Sequence, residues 1–243
     1  MKPHRIFTSL AFAIAIFSNC KGVRNISSSG EAIENIGTFW ETKNNRQIPS
    51  VVIPEKAWFH DSIGITQMCG FNTFETDTGK TITLKTYGYR FVDLKRKWVY
   101  EYPVFSDTAQ IKRKYRYTDT TILVGGWKFD YRKPSPSDSV VMLSDTTIND
   151  ITFKQCKTSY VFNDVRWQGM GLFRCDRKKT NFQMDAALSN EVGCPLVFFK
   201  SSLMTDPRSS FSTEIKFISN NLPDSVIRVF AAWKKNESTY PIQ

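Results

Sequence analysis

The sequence predicts an α+β domain that is mostly β: a curved antiparallel meander sheet with a C-terminal helix, at about 223–235, packed on it. Three observations predict it. Short runs alternate apolar and polar residues between Asp-, Gly- and Pro-rich turns. One helical stripe near the end carries its own start signal. Aromatic residues make up 14% of the chain, with 19 Phe and 6 Trp, enough bulky apolar matter for a folded core. A sheet and a helix each bury an apolar face only against another element, so the helix belongs on the sheet.

In chain order, Gly30 to Lys43 reads as starting with a short helix, because Ile33, Ile36 and Trp40 fall at helical spacing. Gln47 to Pro54 reads as extended or looped. Thr76 to Lys80 holds the Asp and Gly of a hairpin turn, and Thr81 to Tyr87 alternates as a strand. The basic turn Lys95-Arg96-Lys97 precedes a strand at Trp98 to Tyr102. Ile111 to Tyr117 interleaves apolar and cationic residues, the pattern of a strand with one wet face. Strands follow at 121–124 and 127–131 around a bend at Gly125-Gly126. Pro134 to Asp138 reads as a loop, Val140 to Leu143 as a strand, and Asp145 to Ile148 as an Asp-led turn feeding a strand.

Ile151 to Phe162 and Val165 to Cys175 form a hairpin about Asn163-Asp164, a favoured two-residue turn. That turn sets Phe162 opposite Val165 and Cys156 opposite Gly171. Gly169 and Gly171 share a face with Val165, Trp167 and Phe173, which leaves room for a neighbouring backbone or a bulky aromatic. Met184 to Val192 reads as a short helix ended by Gly193, followed by strands at Pro195 to Phe199 and Ser212 to Ile218. In the last helix Pro223 takes the first position, Val226, Val229, Phe230 and Trp233 form the stripe, and Lys234-Lys235 suit the C-terminal end.

Residues 1–19 have the layout of a secretory signal. Met1 to Arg5 is basic, Ile6 to Phe17 is a twelve-residue stretch apolar except for Thr8 and Ser9, and Ser18 to Gly22 turns polar. Twelve positions are too few for a spanning helix. Ending at Cys20, residues 1–22 resemble a bacterial lipoprotein signal, with Phe17 where Leu is usual and Asn19 where Gly, Ala or Ser is usual. The resemblance implies cleavage before Cys20, its acylation, and a lipid-anchored place in the cell envelope, on an outer-membrane, periplasmic or surface face. Ordinary secretion is the alternative. The small and polar residues from Lys21 to Gly30 then form a flexible tether spanning ~18 Å on average. Residues 31–243 form a single β-rich domain.

Net charge is +10; without Lys2 and Arg5 of the signal it is +8, from 31 basic and 23 acidic side chains. Such a surface suits anionic lipid or acidic glycan, and export argues against nucleic acid. Four cysteines remain in the domain, Cys69, Cys156, Cys175 and Cys194, an even number in an oxidising compartment and so disulfide candidates. In the hairpin register Cys175 lies about 14 Å beyond the position facing Cys156, so those two should not pair and Cys69 either takes one of them or stays free. Their wide spacing lacks the paired CxxC of a zinc site, and no metal or other cofactor is expected.

Only His60 remains once His4 leaves with the signal. Sites with two histidines are thereby excluded, and no GxSxG elbow supplies a serine. His60 reads as a surface-loop side chain, and no catalytic residue is assigned. Trp40 and Trp58 lie in less regular segments and are the candidate ligand contacts; the other tryptophans fit the core. Two classes follow. The first is a non-catalytic binding, carrier or assembly module of the envelope, its partners the membrane, anionic lipid or glycan, or another envelope protein. The second is an envelope hydrolase with an unrecognised site. A curved sheet carrying a helix resembles, in architecture alone, the half-barrel lipoprotein-carrier folds that shelter acyl chains, which implies carriage rather than catalysis.

Overall fold

The computed structural model describes residues 29–76, 79–116, 139–162, 164–178, 182 and 185–239. The predicted signal, Cys20, most of the tether, the strands expected at 121–124 and 127–131 and the Pro134–Asp138 loop lie outside the described residues. Among these residues, eleven strands form one antiparallel sheet: β1 (Ser29–Lys43), β2 (Arg46–His60), β3 (Ile63–Thr76), β4 (Gly79–Asp93), β5 (Trp98–Tyr102), β6 (Arg113–Arg116), β7 (Ser139–Ile148), β8 (Ile151–Phe162), β9 (Val165–Phe173), β10 (Leu196–Leu203) and β11 (Ser210–Asn221). The helices are α1 (Ala186–Val192) and α2 (Asp224–Thr239). Strand order is β6-β5-β4-β3-β2-β1-β11-β10-β9-β8-β7, two meanders joined where β1 pairs with β11. The sheet is open and curved, with the C-terminal helix on it, as the sequence predicts.

The expected helix after Gly30 is instead strand β1, central in the sheet between β2 and β11. Ile33, Asn35 and Gly37 are buried at period two. Ser29 and Gly30, assigned to the tether, already belong to this strand. Asp145 is not a turn residue either; it lies inside β7, where the register shifts between Leu143 and Thr146. His60 ends β2 opposite Ile63 rather than in a loop, with its side chain only 15% exposed.

Other expectations match residue for residue. β8 and β9 pair in the expected register, with Phe162 opposite Val165 and Cys156 opposite Gly171. Asp185 caps α1 by accepting from Leu188 N–H (3.0 Å), and Gly193 ends it at φ 81°.

Registers divide the sheet into two faces. On one, Ala32, Trp58, Ile65, Phe91, Tyr100 and Tyr102 line up from β1 to β5. There α2 lays down Val226, Val229, Phe230 and Trp233, all at most 4% exposed and each contributing about 2 kcal/mol by burial. Pro223 stands just before the helix, its carbonyl accepting from Val226 and Ile227. The helix runs past Lys234-Lys235 to Thr239, so Lys234 meets Asp93 and Glu237 rather than capping the end.

The opposite face carries Ile33, Ala57, Phe59, Val92 and Val99, with Phe182 stacked on Phe59 at 4.5 Å. Further along the sheet, α1 presses Leu188 and Val192 onto Cys156, Phe173 and Leu196. These contacts cover the end of the sheet where β1 begins and β9 finishes. The end with the β1–β2, β8–β9 and β10–β11 connections lies beyond them.

Candidate functional site

Two places combine exposure with chemistry. The first is a fork in the sheet. β2 and β3 pair only from Ala57–Thr66 to His60–Ile63, whereas β3 and β4 stay paired along fourteen positions. Past Thr66 the β3–β4 hairpin leaves β2, and side chains take over the bridging. Gln67 Oε1 accepts from Lys56 N–H at 3.2 Å, and Glu55 accepts from Cys69 N–H and Asn35 Nδ2, each at 3.2 Å. A shallow depression of about 260 Å³ opens there between Pro54, Lys56, Gln67, Cys69 and Thr86.

Burial pushes the Glu55 carboxyl above its usual range, against the Cys69 N–H, Asn35 and Arg90, which pull it down. Burial also pushes the Cys69 thiol up, with Thr86 opposing and the Glu55 charge reinforcing. A nucleophilic cysteine needs the opposite shift. His60 Nδ1 lies 3.6 Å from Asp61 Oδ2. Among the described residues, no group of three or more His, Cys, Asp or Glu gathers as a metal site.

The second place is the end of the face opposite α2 that no described element covers. Ladder registers put Phe39, Phe211, Ser201, Gly169 and Thr158 in one row across β1, β11, β10, β9 and β8. The next row brings Trp167 opposite Tyr160, their rings 6.5 Å apart and nearly parallel. The freed β3–β4 hairpin sets Phe71 5.5 Å from Phe39, which is 4.9 Å from Phe211, and Phe199 lies 6.5 Å from Tyr160. Six aromatic rings from six strands thus share one surface. Phe39 is 37% exposed and the other five are half-buried.

Gly169 permits the close packing. A Cβ there would stand 2.5 Å from the Phe199 ring and 2.7 Å from Thr158 Oγ1. Within this apolar surface Ser201 is hydrogen-bonded to Tyr160, whose hydroxyl is pushed up chiefly by burial. Among the described residues, Trp167 Nε1 and Thr158 Oγ1 are buried with no hydrogen-bond partner.

The structure separates the two tryptophans singled out as ligand contacts. Both are half-buried on the α2 face, eight residues apart along the β1–β2 ladder, roughly 27 Å. Trp58 stacks on Phe105 at 4.7 Å, packed against the core under α2. Trp40 donates to Ser212 Oγ at 2.7 Å beneath the Lys200 ammonium. Cys175 and Cys194 form a disulfide that ties the end of β9 to the turn after α1; Cys69 and Cys156 are thiols. The aromatic surface escapes sequence reading because its rings come from six strands. The one local signal for it is the Gly169-Gly171 pair.

No family model matches the chain, and no curated protein matches it. Among solved structures, a LolA-superfamily protein from Nitrosomonas europaea aligns over 84% of this chain and 92% of its own, at 6% identity and TM-score 0.30. A putative outer membrane lipoprotein-sorting protein domain from Vibrio parahaemolyticus aligns over 83% and 91%, at 5% identity and TM-score 0.23. The ywiB protein from Bacillus subtilis aligns over 80% and 97%, at 5% identity and TM-score 0.19. At these TM-scores the likeness carries no inference about this chain.

Proposed function

We propose that the protein is a lipid-anchored envelope lipoprotein whose domain binds an apolar chain without catalysing a reaction on it. The anchor is Cys20, and the binding surface is the aromatic end of the sheet face opposite α2. One observation carries this reading: Phe39, Phe71, Phe199, Phe211, Tyr160 and Trp167 converge there, next to the cluster that α1 covers, against which Phe199 also packs. Half-exposed rings in contact still have apolar area to remove from water, at roughly 25 cal/mol per Å². A flexible acyl chain fits a shallow aromatic strip of this kind, and a lipid anchor keeps the domain beside a bilayer that contains such chains.

The test is direct binding. Purified mature protein should bind hexadecane and palmitoyl compounds, and Phe211→Ala with Phe39→Ala should weaken binding at least tenfold while α2 stays docked by near-ultraviolet circular dichroism. Binding unchanged by the double substitution refutes the surface.

A further inference from the structure

An indole N–H is a donor only, and a buried donor without a partner is rare. Among the described residues, two buried polar groups on this aromatic surface lack partners. Trp167 Nε1 has none, and neither has Thr158 Oγ1, whose residue is 8% exposed. They occupy neighbouring strands. Thr158 faces Gly169 and Tyr160 faces Trp167, so Thr158 and Trp167 are diagonal neighbours on one face, about 7 Å apart. The Thr158 hydroxyl points over Gly169, toward the same notch that receives the Phe199 ring. The other hydroxyls in the patch are engaged, Tyr160 with Ser201. The surface is therefore apolar over most of its area and holds two unspent hydrogen-bonding groups at one spot.

We infer that Trp167 and Thr158 form a carbonyl-recognition point, so that the ligand is an acyl chain carrying an ester or amide carbonyl rather than a bare hydrocarbon. The inference rests on the apolar-chain reading above and names the chemistry of its ligand. A carbonyl oxygen has two lone pairs and accepts from both the indole N–H and the hydroxyl. Its chain then lies along Phe199, Phe211 and Phe39. A bare alkane would leave both polar groups buried and unpaired, and would gain nothing at that point.

The experiment measures the Kd of purified mature protein for 1-monopalmitoylglycerol, palmitamide and hexadecane, with the wild type and with Trp167→Phe and Thr158→Val. Thr158→Val keeps the side-chain shape and deletes the hydroxyl; Trp167→Phe deletes the N–H together with part of the ring. Thr158→Val should weaken the ester or amide probe about fivefold and leave hexadecane within about twofold, since a net hydrogen bond contributes on that scale; Trp167→Phe, which also removes apolar ring area, should weaken the ester or amide about fivefold more than it weakens hexadecane. Loss for the ester alone assigns the site to glycerolipid-type esters, loss for the amide alone to N-acyl groups, and loss for both to the carbonyl they share.

Thr158→Val should not lower Tm, because its hydroxyl has no partner to lose among the described residues. If both variants bind both carbonyl probes as tightly as wild type, the inference fails while the apolar-chain reading stands. If Thr158→Val loses hexadecane as well and its Tm falls, the residue is structural and the inference fails. If no probe binds wild type, the apolar-chain reading fails, and this inference with it.

Discussion

Tyr102 and Trp233 lie flat against each other, ring centroids 3.8 Å apart with planes 1° from parallel, and Trp233 Nε1 donates to the Ser106 carbonyl at 2.9 Å. Trp233 is fully buried, and Phe91 and Phe105 meet the same ring edge-on. This contact holds α2 to β5 and to the loop after it. Trp233→Ala removes the stack, the hydrogen bond and a large volume, and should destabilise the domain by about 3–5 kcal/mol. Urea unfolding of the two proteins measures it, and a loss below about 1 kcal/mol would show that α2 is not fixed by this residue.

The disulfide closes a loop from Cys175 to Cys194, across the segment that carries α1. Constraining a loop of this length in the unfolded chain stabilises the fold by about 3 kcal/mol. Cys175→Ser should therefore lower stability by about that amount. A non-reduced peptide map should show a Cys175–Cys194 link, with Cys69 and Cys156 alkylated only as thiols. A link involving Cys156 would contradict both the bond and the β8–β9 register, which sets Cys156 against Gly171.

Two buried carboxylates should respond to pH in opposite senses. Glu55 is raised above its ordinary 4.5 mainly by burial, so its protonated form suits the fold. Its contribution is complete below pH 4.5 and is lost as pH rises through the higher folded value. Asp93 is lowered: burial pushes it up, but Lys234, the Arg96 N–H and Glu237 together outweigh that. Its contribution is present above 3.8 and is lost as pH falls through the lower folded value. Glu55→Gln should therefore gain on wild type as pH rises from about 4 to 7. Asp93→Asn should lose most at neutral pH and close the gap in acid. Stability measured from pH 3 to 7 for the three proteins decides it; parallel curves would contradict both assignments.

Membrane attachment depends on one residue in this account. Cys20→Ser should move the protein out of the membrane fraction and stop cleavage before residue 20. Unchanged processing and unchanged membrane recovery would rule out acylation at Cys20.

Local chemistry made much of the fold legible. Asn163-Asp164 specifies a tight turn whatever surrounds it, so the β8–β9 register follows from the chain alone. Pro223, Asp224 and the Val226–Trp233 stripe mark α2 in the same way. β1 was illegible because its buried positions hold Asn35 and Gly37 beside Ile33. Asn35 is tolerated there because Glu55, twenty residues on and directly across the ladder, accepts its hydrogen bond. Without that partner in view, Ile33, Ile36 and Trp40 suggest a helix. The aromatic surface was hidden for a related reason: Phe39, Phe71, Phe199 and Phe211 lie far apart along the chain, and only the ladder registers and ring distances show that they meet.

The central claim is that an acyl chain lies on the aromatic end of the face opposite α2. Photolabelling tests it most directly, using a palmitoyl ester with a diazirine in mid-chain, irradiated with the mature protein and mapped by tandem mass spectrometry. The account predicts adducts on Phe39, Phe71, Phe199, Phe211 or Trp167, competed away by excess 1-monopalmitoylglycerol. Adducts confined to the other face, at Trp40 or around α2, or labelling that excess ligand does not compete, would contradict it.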